Sequence, residues 1–92
     1  MTQDTATNST KAQARKAILE MAKEWDKQKK TQHAVEGYEA VIEADPESKE
    51  ADQAKDALME IAKRYEQKGK KHSAYYLYHK LAEGRAGSHD RI

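Results

Sequence analysis

Four histidines and sixteen carboxylates supply most of the side chains in this 92-residue chain that are able to do acid, base or metal chemistry. A helical zinc site needs two histidines four residues apart on one face, usually with a carboxylate between or beyond them. His33, His72, His79 and His89 form no such pair, although His79 and Glu83 stand four apart. The absence of cysteine excludes thiolate metal sites, disulfides and thiol catalysis together. No glycine-rich loop is present to cradle a phosphate, and the carboxylates alternate with lysines in the manner of solvated ion pairs on wet helix faces. The expectation is a chain with no catalytic residues, no metal and no cofactor, and therefore not an enzyme.

Any surface such residues do form must be positioned by a small core. Hydrophobic residues make 37% of the sequence and charged residues 36%, and the mean hydropathy is −1.14. A domain of this size buries only about 60 to 70% of the surface its unfolded chain exposes, so its apolar side chains must be well placed. The net charge of +1 conceals a strong alternation: residues 11–31 carry seven basic and three acidic groups, 32–62 two basic and nine acidic, and 63–92 eight basic and three acidic. Such a chain can neutralise itself, so its lysines require neither nucleic acid nor an acidic membrane. No stretch approaches the roughly 20 apolar residues of a membrane span, and Met1-Thr2-Gln3-Asp4 lacks the start of a signal peptide. These features predict a soluble, cytoplasmic protein.

With one proline and four glycines, long helices are the default. Residues 1–9 are polar and aperiodic and predict a disordered tail. Thr10 and Gln13 have the form of a capping box. Ala14, Ala17/Ile18, Met21/Ala22 and Trp25 then follow at helical spacing to about Lys29. Thr31 is placed to cap a second helix with Ala34, Tyr38, Val41 and Ile42 on its stripe, stopped by Asp45-Pro46. A third helix begins near Pro46 or Ser48 and carries Ala51, Ala54, Leu58, Ile61/Ala62 and Tyr65 before Gly69 ends it. A fourth runs from about Lys71 to Glu83 with Ala74, Leu77/Tyr78 and Leu81, closed by Gly84, and residues 85–92 read as a C-terminal tail.

Displacing the sequence by forty residues aligns Ala17–Ala44 with Ala57–Gly84 without a gap. Identities fall at Ala17/Ala57, Glu20/Glu60, Ala22/Ala62, Lys23/Lys63, Lys30/Lys70, Ala34/Ala74, Tyr38/Tyr78 and Glu43/Glu83, and Ile18/Leu58, Met21/Ile61, Trp25/Tyr65 and Val41/Leu81 are conservative pairs. Internal repetition of this length is the mark of a helical solenoid. The pattern resembles the tetratricopeptide repeat. Its roles fall on Ile18, Met21-Ala22, Trp25, Ala34-x-x-x-Tyr38 and Pro46 in the first copy. In the second they fall on Leu58, Ile61-Ala62, Tyr65 and Ala74-x-x-x-Tyr78, with Ala86 where the closing proline would stand. The resemblance implies an all-α fold of four antiparallel helices in two helix-turn-helix repeats, about 10–45 and 46–84, a short α-solenoid within residues 10–84. The forty-residue period is longer than the family's and lengthens the third helix. About three repeats normally make a stable solenoid, and no polar capping helix follows Glu83. The hairpins are expected to pack through Ile18, Met21, Trp25, Tyr38, Val41, Leu58, Ile61, Tyr65, Tyr78 and Leu81.

Two surfaces then stand out. In the family the first helix of each hairpin lines a concave groove. The resemblance places Lys16, Leu19, Lys23, Asp26 and Lys27 with Asp56, Met59, Lys63 and Glu66 there, Leu19 and Met59 forming an apolar floor between lysines suited to an amphipathic or acidic peptide. The fourth helix carries more large side chains than one buried stripe can hold, which leaves Tyr75, Tyr76 and His79 for self-association or a partner. The expected function is that of a non-enzymatic protein-protein interaction module, a small adaptor or accessory subunit binding a protein or peptide and able to form homo-oligomers. The alternative is a helical nucleic-acid-binding protein using its basic turns, Lys27-Gln28-Lys29-Lys30 and Lys68-Gly69-Lys70-Lys71.

Overall fold

A computed structural model describes the backbone of residues 2–90 and the side chains of residues 10–83. Among the described residues there are four helices and no strand: α1 (Thr2–Lys27), α2 (Thr31–Ala44), α3 (Lys49–Gln67) and α4 (Lys71–Asp90). The all-α class expected from composition is therefore observed. Both outer helices are longer than their capping signals suggest. No proline or glycine interrupts residues 2–9, so α1 runs through the Thr10 capping box; α4 continues past Gly84, whose cost inside a helix is only about 1 kcal/mol. Residues 91 and 92 of the expected C-terminal tail lie outside the described residues.

The chain divides into two compact units, Met1–Ala54 and Lys55–Ile92. In the first, α1 packs on α2, and the buried apolar side chains are Leu19, Ala22, Ala34, Val35, Tyr38, Val41, Ala51 and Ala54. Small residues bring α1 and α2 close. A Cβ added to Gly37 would stand 2.9 Å from the Ala22 Cβ and 3.3 Å from the Trp25 ring. In the second unit Leu58, Ile61, Ala62, Ala74, Leu77 and Leu81 are buried. There the Tyr78 hydroxyl, at the edge of this cluster, donates to Glu66 Oε1 at 2.9 Å.

The inward face of α1 differs from the expected one. Met21 is 50% exposed, and Ile18 and Trp25 are half-buried, whereas Leu19 at 2% and Ala22 at 0% are core. The physical reason is that α1 carries two adjacent apolar stripes: the one with Leu19 and Ala22 is fully covered, while the one with Ile18, Met21 and Trp25 borders α2 and stays partly in solvent. Tyr65 and Tyr78 are likewise half-buried, while Tyr38, Val41, Leu58, Ile61 and Leu81 are buried as expected.

Both tight turns use the same device at a forty-residue interval. Lys30 N–H donates to Trp25 O at 2.8 Å and Lys29 N–H to Asp26 O at 3.0 Å; Lys70 N–H donates to Tyr65 O at 2.8 Å and Gly69 N–H to Glu66 O at 3.0 Å. These are the paired 6→1 and 5→2 bonds of a Schellman cap, which satisfies terminal carbonyls when one residue turns left-handed. That residue is Gly69 (φ 80°) in one turn and Lys29 (φ 67°) in the other. Thr31 does not cap α2: Lys30 occupies that position without a side-chain bond. Between α2 and α3, Ser48 Oγ accepts from Ala51 N at 3.0 Å, so Ser48 caps α3 and contributes about 1 kcal/mol.

Candidate functional site

The unit formed by α1, α2 and the start of α3 presents a shallow apolar cleft of about 290 Å³. α1 supplies Ile18, Met21 and Trp25 at helical spacing, and α2 supplies His33, Glu36, Gly37 and Ala40. At its base Gly37 lets α1 and α2 approach closely, with Ala22 and the Trp25 ring in the space a side chain would need. The Trp25 ring meets the His33 ring edge-on, 5.6 Å between centroids at 61°. A thioether, an indole and several methyl and methylene groups line the cleft, with Glu36 its one carboxylate. Burial of apolar area is the main favourable interaction such a surface has to offer.

A second patch lies on α4. Tyr75 is 57% exposed and Tyr76 52%, and His79, one turn on, is exposed too. The α4 surplus of large side chains therefore does face outward. Lys80 Nζ stands 5.9 Å from the Tyr76 ring centroid, and His79 Nε2 is 3.8 Å from Glu83 Oε2, both side chains being mostly in solvent. Among the described residues no three histidine, aspartate or glutamate side chains are grouped to hold a metal ion.

A third feature is polar. A notch of about 430 Å³ is lined by Ala12, Gln13, Arg15, Lys16, Asp45, Ser48, Lys49 and Glu50. Arg15 reaches from α1 to the α2–α3 joint, with Nε 3.3 Å from Glu50 Oε1 and Nη1 3.8 Å from Asp45 Oδ2. Glu50 titrates below its ordinary value, first because its backbone N–H bonds the carboxylate. Partial burial opposes this, and the Arg15 hydrogen bond and charge add to it. These ion pairs line one wall of the notch and tie α1 to the joint between α2 and α3.

The residues assigned to a concave groove separate by exposure. In the first unit Leu19 is buried, so it is core and not an open groove floor, and Lys23 and Asp26 are half-buried, with Lys16 and Lys27 exposed. In the second, Met59 is half-buried and Asp56, Lys63 and Glu66 are exposed. The lysines of both turns are exposed. Sequence reasoning missed Gly37, Ala40 and Arg15. Gly37 carried a signal, since a glycine inside a helix often marks a close approach; Ala40 and Arg15 carried none beyond their place on the helix.

Among the described residues no helix is long and apolar enough to cross a membrane. Comparison with family models, with curated proteins and with solved structures finds no match.

Proposed function

We propose that this chain is a non-enzymatic protein-binding module built from two antiparallel hairpins of the tetratricopeptide kind, an adaptor or accessory subunit in the cytoplasm. The single observation that carries the reading is the open, nearly uncharged cleft on α1 and α2, where Met21 is 50% exposed beside Ile18, Trp25 and Ala40. Exposed apolar patches with a polar rim are a common mark of interaction surfaces. The paired turn geometry at a forty-residue interval supports a duplicated hairpin. Arg15 in the middle of α1 pairs with Asp45 just beyond α2, and Trp25 near the end of α1 meets His33 early in α2; both suit helices running in opposite directions.

The exposed lysines of the two turns favour a second reading, contact with nucleic-acid phosphates. One experiment separates the two. The full chain is used as bait in extract of its native cell, with and without nuclease, alongside Met21→Glu and a Lys29→Glu/Lys70→Glu double variant. Protein partners that survive nuclease and are lost with Met21→Glu support the module. Material lost to nuclease and to the lysine variant, with Met21→Glu indifferent, overturns it in favour of nucleic acid.

A further inference from the structure

We propose that the partner of the α1–α2 cleft is a second copy of this chain, whose α4 seats Tyr75 and Tyr76 on Ile18, Met21, Trp25 and Ala40 in a head-to-tail contact. The inference rests on the protein-binding reading and names the occupant of its site.

Three observations converge on it. The first is the register of the repeat. Ile18 and Met21 correspond to Leu58 and Ile61, yet Leu58 and Ile61 are 2% and 1% exposed while Met21 is 50% exposed. A face that this chain buries in one copy of its hairpin is left open in the other. The second is charge. Residues 1–54 carry eight basic and eleven acidic groups, a net −3, and residues 55–92 nine basic and five acidic, a net +4. Along α2 the contrast sharpens, because Glu36, Glu39 and Glu43 stand there with no lysine or arginine, and Glu36 lines the cleft. The tyrosines of α4 are flanked by His72, His79 and Lys80. Opposite potentials meet when α4 of one copy approaches α2 of another, whereas two clefts brought face to face would oppose their own glutamates.

The third is residue type. Tyrosine and methionine are enriched at the desolvated centres of interfaces, and here each lies on a different face. The patches are small, so a dissociation constant of roughly ten to several hundred micromolar is expected. Because the two faces differ, each added copy leaves one of each kind free. Association is heterologous and does not stop at a dimer unless a ring closes.

Complementation of two blocked chains tests this. Met21→Glu removes the receiving face and Tyr76→Glu the donated one, with Ala40→Glu and Tyr75→Glu as second routes should either first variant lose its helical circular dichroism. In sedimentation velocity the parent should gain mass steadily over roughly ten to several hundred micromolar, less so at high salt. Each variant alone should stay monomeric, and their equimolar mixture should form a dimer and nothing larger, through the one intact pair of faces. A parent that remains monomeric, a variant that dimerises by itself, or a mixture that stays monomeric overturns the proposal. The two readings fail separately: a monomeric parent that still retains a protein partner sensitive to Met21→Glu defeats self-association and leaves the binding module standing.

Discussion

Met21 and Ile61 hold the same register in the two hairpins, yet the first is half in solvent and the second is 1% exposed. The hairpins agree in what defines their shape: the 6→1 and 5→2 turn bonds, the buried Ala22/Ala62 and Ala34/Ala74, and the buried Val41/Leu81. They differ in how volume is shared. Where the first has Trp25 and Gly37, the second has Tyr65 and Leu77, moving bulk from the first helix of the pair to the second. In the first hairpin Ala22 and the Trp25 ring occupy the space that a side chain at Gly37 would need; in the second, Leu77 is buried at 1% exposure. The two forty-residue segments therefore share their turn bonds and their buried small residues while only one of them leaves this apolar face in solvent.

The sharpest way to break this comparison is truncation at matched positions. Leu58→Ala should lose about 2 to 5 kcal/mol, because the side chain is buried and leaves a cavity. Met21→Ala should lose less than about 1 kcal/mol in dilute solution. Urea unfolding of both, at concentrations too low for association, measures the difference, and equal losses would show that the two faces are equally covered. Trp25→Ala should fall between them.

Gly37→Ala comes next. Alanine gains about 1 kcal/mol of helix propensity, but its Cβ would lie 2.9 Å from the Ala22 Cβ, which is fixed to its own backbone and unable to rotate away. Overpacking costs about 1 to 3 kcal/mol, so a net loss of about 1 kcal/mol should appear as a lowered thermal midpoint. A rise would mean that α1 and α2 separate easily.

The turns offer a smaller, opposite effect. Lys29 stands at φ 67° where its counterpart is Gly69 at φ 80°. A left-handed side-chain-bearing residue costs about 1 to 2 kcal/mol, and glycine returns about 0.4 to 1 through the freer unfolded chain. Lys29→Gly should therefore stabilise by about 0.5 to 1 kcal/mol and Gly69→Ala should destabilise by a similar amount, both read from the urea midpoint. The same sign for both would mean that the two turns are not equivalent.

The smallest effect belongs to Tyr78, whose hydroxyl bond to Glu66 raises its pKa above the ordinary 10.0, with partial burial and the carboxylate charge adding to the shift. The bond requires the protonated phenol. Its stabilisation is complete below pH 10.0 and is lost as pH rises through the higher folded value. Stability measured from pH 8 to 11 should fall slightly less in Tyr78→Phe than in the parent; parallel curves would remove the bond from the second hairpin's account.

Much of this fold is legible in residue spacing. Gly69 announces its turn, Asp45-Pro46 and Ser48 mark the joint before α3, and the Leu58, Ile61, Val41 and Leu81 stripes are buried where their period places them. The orientation of α1 was not. Ile18, Met21 and Trp25 form one apolar stripe and Leu19 and Ala22 the core side of another, and the latter is interrupted by Arg15 and Asp26, so periodicity favours the cleaner stripe. The buried one is chosen by packing within the unit, and Arg15 is retained there because Glu50 and Asp45 meet it. The left-handed Lys29 is equally silent, since nothing about lysine predicts that backbone. The exposure of Tyr75, Tyr76 and His79 was readable only from an excess: α4 holds more large side chains than its stripe can bury.

The boundary between the two compact units falls inside α3, after six of its nineteen residues, with neither glycine nor proline anywhere from Lys49 to Gln67. Six residues are too few to persist as a helix on their own, and starting a helix afresh carries a factor of about 10⁻³, or about 4 kcal/mol. One continuous rod thus nucleates a single time on behalf of both units. A break at Ala54–Lys55 would demand a second nucleation, so local melting that reaches this helix is favoured to spread along it.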